Sequence, residues 1–352
     1  MPTVAADRLL EFAAELLAAG GVGREEAGLI ARSLVDSNLR GHDSHGMMRI
    51  PYYLDGLNKG ETTAAAEITP LRETDSILVA DGNWGFGQTV MHQLTGRLIE
   101  KARTCGVAVG TLLHSCHIGR LGEYCERVAR DGNMLSMVMV NTHGSTRRVA
   151  PPGGTAPRLG TNPLAFGMPT DTEPLILDFG TSATAEGKVR VKRIAGQQCP
   201  DNWLLDSDGN PTNDPHTLYG DPPGTIRPMG GDHPYKGFGL GLVVEIFSGA
   251  LSGGICAREV PINQLGNCVF ILVIDPEHMA GGAHYAQQVK SLIEFVRGCP
   301  TVAGVDEILL PGDPERNTMA ARRATGVPFD EGNWRQIVEL AQQLGVKPPP
   351  SN

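Results

Sequence analysis

No apolar run in the 352 residues approaches the ~20 needed to cross a bilayer, and Met1 to Gly20 has the spacing of an amphipathic helix rather than of a secretory leader. A cytoplasmic protein with no membrane partner is expected. Basic side chains are the minority. Thirty Lys and Arg stand against thirty-nine Asp and Glu, a net charge of −9, which disfavours a surface that tracks phosphate backbones and argues against nucleic acid as a partner. The seven cysteines are scattered, odd in number and contain no C-x-x-C pair, so neither a disulfide framework nor a zinc ribbon is expected. They read as reduced thiols, with no metal. Familiar motifs are missing as well. G-x-G-x-x-G fails twice, because Val90 follows Gly85-Phe-Gly87, and Leu242 follows Gly237-Phe-Gly239, where a third glycine would stand. No G-x-x-x-x-G-K-[ST], H-E-x-x-H or G-x-S-x-G occurs, which removes the common routes to nucleotide hydrolysis, zinc proteolysis and the α/β-hydrolase elbow. A dinucleotide would have to bind by other means.

What is present suffices for a large core, since 41% of the residues are apolar, and the 45 glycines then serve turns and close backbone approaches. Leu9, Leu10, Phe12, Ala13, Leu16 and Leu17 recur at helical spacing up to Gly20-Gly21, and Leu29, Ile30, Leu34 and Leu39 up to Gly41. Short apolar runs bounded by Gly, Asp or Pro predict strands at 76–80, 107–113, 135–140, 175–179 and 268–274. Helical patterns fall at 88–102, 121–130, 239–251 and 283–296, and two more at 315–324 and 334–344. The expected architecture is α/β, a mixed sheet of non-Rossmann type with helical N- and C-terminal parts. Residues 1–75 together with 283–352 form the mainly helical part, and 76–282 the α/β part that binds cofactor and substrate. Between Gln197 and Asp232 the chain is polar and crowded with Pro, Gly, Asn and Asp, a long connection of no clear period, and the tail from Lys347 is expected to fray.

Four clusters carry chemistry. Gly41-His-Asp-Ser44-His45-Gly46 places two imidazoles, a carboxylate and a hydroxyl in four consecutive residues; Arg49 and Tyr53 follow at intervals of four, so in a helix His45, Arg49 and Tyr53 would share a face able to hold an anion. Pro51 sits awkwardly in such a helix, and the bland reading is a capping loop with Arg49 in a surface ion pair. His117 lies in His114-Ser-Cys-His117-Ile118-Gly119-Arg120-Leu121, at the carboxyl end of a predicted strand, where α/β enzymes keep reactive groups; a histidine bonded in a turn is the alternative. Asp178, before Gly-Thr-Ser182, is either a turn-former or the orienter of a histidine. Lys236 and Gly237, in His233-Pro-Tyr-Lys-Gly-Phe-Gly, open a helix at which main-chain N–H groups and an ammonium would favour a pyrophosphate; close packing against a sheet would also require the glycines.

Together with Leu159-Gly-Thr161-Asn-Pro-Leu164, these motifs resemble, in order and over nearly the whole chain, the second type of malate/L-lactate dehydrogenase, a family that includes sulfolactate, ureidoglycolate and diketogulonate oxidoreductases and the cyclic imino-acid reductases. The resemblance implies a homodimer that binds NAD or NADP in an extended cleft. It implies catalytic roles for His117, His45, Ser44 and Asp178, the last three in a relay, and a substrate site made by Arg49, Tyr53 and Thr161. Cofactor contacts would come from His117, Ile118, Gly119, Arg120, Leu121, Asp178, Ser182, Lys236 and Gly237, although this sequence departs from many members in placing Pro-Tyr between His233 and Lys236.

The expected reaction is hydride transfer between a nicotinamide and C2 of a small 2-hydroxy or 2-oxo carboxylate, with cyclic 2-imino acids as the alternative substrates. Arg49 suits the carboxylate because its planar fork binds it bidentately, and histidine suits the proton because it titrates near neutrality. His117 is favoured over His45 as the direct acid/base for its strand-end position. A hydrolase built on Ser44, His45 and Asp178 is a distant rival, since adjacent Ser and His side chains do not readily turn toward each other. A binding protein that keeps the cleft without turnover is another.

Overall fold

The computed structural model describes residues 1–260 and 262–350, so the last two residues of the tail expected to fray lie outside the described residues. In chain order the elements are β1 (Thr3–Val4), α1 (Ala6–Ala19), α2 (Arg24–Leu39), α3 (Ile50–Asn58), β2 (Thr69–Glu73), β3 (Ile77–Gly85), α4 (Gly87–Cys105), β4 (Val107–Ser115), α5 (Leu121–Gly132), β5 (Leu135–Asn141), β6 (Pro163–Met168), β7 (Leu175–Gly180) and α6 (Glu186–Ile194). They continue with β8 (Leu204–Leu205), β9 (Pro211–Thr212), β10 (Thr225–Ile226), α7 (Pro234–Val244), β11 (Asn267–Ile274), α8 (Gly282–Arg297), α9 (Asp313–Thr325), β12 (Val327–Pro328) and α10 (Glu331–Gln343).

Seven strands make a mixed sheet in the order β2-β3-β4-β11-β5-β6-β7. Only β3 and β4 run parallel, joined by α4 as the crossover helix; the other pairings are antiparallel. Apolar faces of α4 and α5 (Met91, Leu94, Leu98, Tyr124, Val128) are buried with Leu78, Leu112, Val138 and Ile271 of the strands, and Met139, Leu164 and Phe270 form a smaller cluster with Val244 of α7. The fold is the mixed α/β class expected. The five predicted strands are present. Two more, β2 and β6, complete the sheet; β2 is wholly exposed and carries Pro70, as an edge strand can.

A second core joins the two ends of the chain. Leu9, Leu16, Ile30, Leu34, Met47 and Tyr53 are buried with Val327, Phe329, Ile337 and Ala341, and β1 pairs with β12. The connection 197–232 is more ordered than its composition suggests: β8, β9 and β10 form a small sheet whose Leu204, Leu218 and Ile226 pack with Val149, Leu159 and Val189. The helix expected at 239–251 begins earlier, at Pro234, and its last stretch, Glu245–Ala250, is a π-turn. There the buried Glu245 carboxylate accepts from Asn141 Nδ2, Asn162 Nδ2 and the Ala257 N–H, each at 2.9 Å. All seven cysteines are free thiols, and among the described residues no helix is long and apolar enough to cross a membrane.

Candidate active site

Helix α2 ends at Leu39 with Arg40 as its cap, and Gly41, at φ +86°, releases the chain into two successive 3₁₀ turns, Asp43–His45 and Met47–Arg49. Asn38 pins the path: its Oδ1 accepts the Met47 N–H at 2.8 Å and its Nδ2 donates to Asp43 at 2.7 Å, while a Cβ on Gly46 would overlap the Asn38 side chain. Helix α3 begins at Ile50, so Pro51 falls in the first turn, where its missing N–H costs nothing. His45, Arg49 and Tyr53 therefore do not share one helical face; each stands on a different turn. In this tight geometry Ser44 Oγ lies 3.0 Å from His45 Nδ1, contrary to the expectation that neighbours turn apart, and Arg49 Nε donates to the Ser44 carbonyl at 2.6 Å.

His117 leaves the end of β4 beside this turn. The neighbouring Ile118 N–H donates to Asn267 Oδ1 at 3.0 Å and the Ile118 carbonyl accepts from Tyr124 Oη, which fixes the backbone that carries the ring. The rings of His117 and His45 stack, with centroids 5.5 Å apart and planes at 24°. Tyr53 Oη is 2.9 Å from His117 Nδ1 and accepts from Gln88 Nε2 at 2.8 Å. An amide NH₂ can only donate, so the tyrosine proton is directed to Nδ1, and the neutral His117 ring carries its own proton on Nε2. Tyr53 is itself buried, and the loss of water pushes its hydroxyl above the usual tyrosine range, so it stays a donor. Tyr53 thus serves the histidine directly and does not line the cleft.

The cleft has a volume of about 460 Å³ and is lined by Arg49, His117, Thr142, Ser145, Arg190 and Asn267 among others, with no carboxylate in its wall among the described residues. Desolvation, then the Arg49 charge, lowers His45 to about 3. The same two causes hold His117 well below the ordinary histidine value, and desolvation also lowers Arg49. Without an anion present, both rings are neutral around pH 7.

None of the remaining expected residues lines the cleft. Gly119 and Leu121 continue from His117, with Gly119 at φ +79° and Leu121 buried in the sheet core. Arg120, expected at the cofactor, instead has its side chain buried in ion pairs with Asp36 (3.1 Å) and Glu126 (3.2 Å) and is unavailable to a ligand. Asp178 is not brought to either histidine. Its carboxylate accepts the Gly122 N–H at 2.7 Å at the start of α5, and burial raises its pKa, so the structure assembles neither a relay nor a hydrolytic triad from Ser44, His45 and Asp178. Thr161, Ser182 and Gly237 form a separate unit: the Thr161 carbonyl accepts from Thr181 N (3.0 Å) and Oγ1 (3.2 Å), Ser182 Oγ donates to the Thr184 carbonyl at 2.8 Å, and a Cβ on Gly237 would overlap Met229. Thr161 does not line the cleft, and Lys236 is exposed outside it.

The unit reaches the first turn through α6, because a Cβ on Gly187 would stand 3.1 Å from Ser44 Cβ. Among the described residues Thr184 Oγ1, just before α6, is buried without a partner; in the cleft wall Thr142 and Ser145 donate their hydroxyls to the carbonyls of Thr146 (3.1 Å) and Thr142 (2.5 Å), and Asn267 Nδ2 donates to the Asn141 carbonyl (3.0 Å), which leaves the two hydroxyl oxygens as acceptors. Those acceptor oxygens fit the amide NH₂ and the ribose hydroxyls of a nicotinamide coenzyme, which can donate to them. Gln88, Asn267 and Arg190 escape the sequence reading. Gln88 follows directly on Gly85-Phe-Gly87, the failed fingerprint, which is the only sequence signal that touches any of the three.

Comparison with known proteins gives the family. The sequence pattern of a family described as malate/L-lactate dehydrogenase matches residues 4–338. The L-sulfolactate dehydrogenase of Methanothermobacter thermautotrophicus is 34% identical over 337 residues, 94% of this chain and 94% of that protein. The solved malate dehydrogenase of Pyrococcus horikoshii superposes with a TM-score of 0.88 at 30% identity, covering 99% of this chain and 97% of its own. The delta1-piperideine-2-carboxylate reductase of Pseudomonas syringae superposes with a TM-score of 0.82 at 30% identity, over 97% of this chain and 100% of that one.

Proposed function

The chain belongs to the malate/L-lactate dehydrogenase family, an oxidoreductase acting on CH–OH groups, and from that premise we propose that it transfers hydride between NADH or NADPH and C2 of a small 2-hydroxy or 2-oxo carboxylate. The observation that carries this reading is one cleft in which Arg49 and His117 meet without a neighbouring acid. The nicotinamide supplies the hydride when bound. Arg49 holds the substrate carboxylate, and its Nε bond to the Ser44 carbonyl fixes the fork that does so. Neutralising Arg49 in this way removes a charge that keeps His117 unprotonated, so the pKa of His117 rises as a 2-oxo acid binds. With its pKa raised, His117 takes up a solvent proton, and the imidazolium delivers its Nε2 proton to the developing alkoxide and returns to the neutral ring, held in aim by Tyr53 and Gln88.

The solved relative named as a piperideine-2-carboxylate reductase supports cyclic 2-imino acids as a second reading, since the same anchor and proton would serve a C=N bond. We place the enzyme in the cytoplasm as a homodimer; the exposed apolar residues Ile246, Leu251, Leu292 and Phe295 support a second subunit. The test is loss of nicotinamide absorbance with each coenzyme against a panel of 2-oxo acids, with cyclic imino acids in parallel. Turnover is expected with the oxo acids, and Arg49→Gln should raise KM by about 100-fold. No turnover of any member by the folded protein would overturn the assignment.

A further inference from the structure

We infer that Arg190 receives a second anionic group of the substrate, so that the preferred 2-oxo or 2-hydroxy acid is a dianion, a dicarboxylate or sulfocarboxylate, and not a monocarboxylate. This rests on the hydride-transfer reading above and specifies its substrate class.

Among the described residues, Arg49 and Arg190 are the two permanently charged side chains that line the cleft, and no acidic side chain lines it. One carboxylate at Arg49 leaves the second guanidinium without an anion in a partly desolvated wall, an arrangement that costs free energy unless a ligand completes it. The two arginines also repel: the Arg190 charge is one of the causes that lower Arg49.

The helix that carries Arg190 offers it a conventional partner. Glu186 stands four residues earlier on α6, the spacing at which Glu and Arg pair on a helix surface. No such ion pair forms among the described residues. Instead Glu186 Oε1 accepts from Tyr219 Oη at 2.7 Å, and Arg193, one turn on, lies over the same tyrosine ring at 3.9 Å. Tyr219 thus engages the charges on either side, while Arg190 remains half-buried against the cavity. Glu186 is still close enough to act on Arg49 through space, and Lys188 on His45, so the site as a whole stays positive in a chain of net charge −9. That sign favours the entry of a doubly charged ligand.

The experiment compares kcat and KM for oxaloacetate, 3-sulfopyruvate, pyruvate and piperideine-2-carboxylate in the wild-type protein, Arg190→Gln and Arg190→Lys, with KM for the coenzyme measured alongside. The wild type should prefer the two dianions. Arg190→Gln should lower their kcat/KM by about 10- to 100-fold, through KM and with kcat largely kept, leaving pyruvate and coenzyme KM unchanged, and Arg190→Lys should restore part of the loss. A wild type that turns over 2-oxo acids but favours the monoanions overturns this inference alone. So does an equal loss on all acids, or a loss confined to coenzyme KM, which would assign Arg190 to the coenzyme's phosphates. Absence of turnover with every acid would instead sink the hydride-transfer reading itself.

Discussion

His117 and His45 differ less in their surroundings than in what they face. Both are held neutral by desolvation and by Arg49, yet only His117 lines the cleft, and only His117 is tethered by a tyrosine and a glutamine. His117→Asn should therefore lower kcat by about 10²- to 10⁴-fold with coenzyme affinity intact, and His45→Asn by much less. Equal losses in single-turnover measurements would assign the proton to the pair. His45 also writes itself into stability. Its folded pKa of about 3 lies below the ordinary 6.5, so between those values the unfolded chain binds the extra proton, and stability falls as pH falls through that window. The limit is about 1.4 kcal/mol per pH unit for one group. Urea midpoints taken from about pH 7 down to about pH 5 should drop less steeply for His45→Gln than for the wild type; parallel curves would show that His45 protonates equally in both states.

At the scale of elements, Asp178 separates a structural from a chemical role. Its carboxylate sits at the first turn of α5, accepting the Gly122 N–H, where negative charge also complements the helix dipole. Asp178→Ala should cost about 1–2 kcal/mol in denaturant titration, and Asp178→Asn, which keeps an acceptor, less, with kcat retained in the asparagine variant. A hundredfold fall in kcat for Asp178→Asn at unchanged stability would restore the relay. The sequence made β5 and β11 readable because each is a nearly unbroken apolar run buried in the middle of the sheet. It hid β2 because Thr-Pro-Leu-Arg-Glu on an exposed edge has no buried face to alternate with. It hid α6 because Lys-Val-Arg-Val-Lys alternates like a strand while Val189 alone reaches a core, and with α6 went Arg190. Ser44, His45, Arg49 and His117 stood out because they are dense in chemistry; Gln88 and Asn267, single amides in apolar surroundings, carry no local pattern, and topology alone brings them to His117.

On the whole-molecule scale, two surfaces are unfinished in a single chain. Helix α8 contains no buried residue although Val289, Leu292, Ile293 and Val296 recur at helical spacing, and Phe295 is 82% exposed. The second surface follows α7, where Ile246 and Leu251 are more than half exposed at 57% and 55% beside Leu242 and Phe247. Isolated apolar residues on a surface need no partner, but a contiguous set on one helical stretch signals an interface. The proposed homodimer gives these faces an occupant, a second copy of the same chain, and a two-fold interface requires each to be matched by its own or the other surface. Sedimentation equilibrium should accordingly give twice the chain mass. Paired Ile246→Asp and Leu251→Asp, or paired Leu292→Asp and Phe295→Asp, should shift the mass toward a single chain for whichever surface forms the contact, because a carboxylate desolvated at an apolar interface without a partner costs several kcal/mol. A wild-type protein that sediments as one chain at micromolar concentration would reject the dimer and leave both faces to another partner.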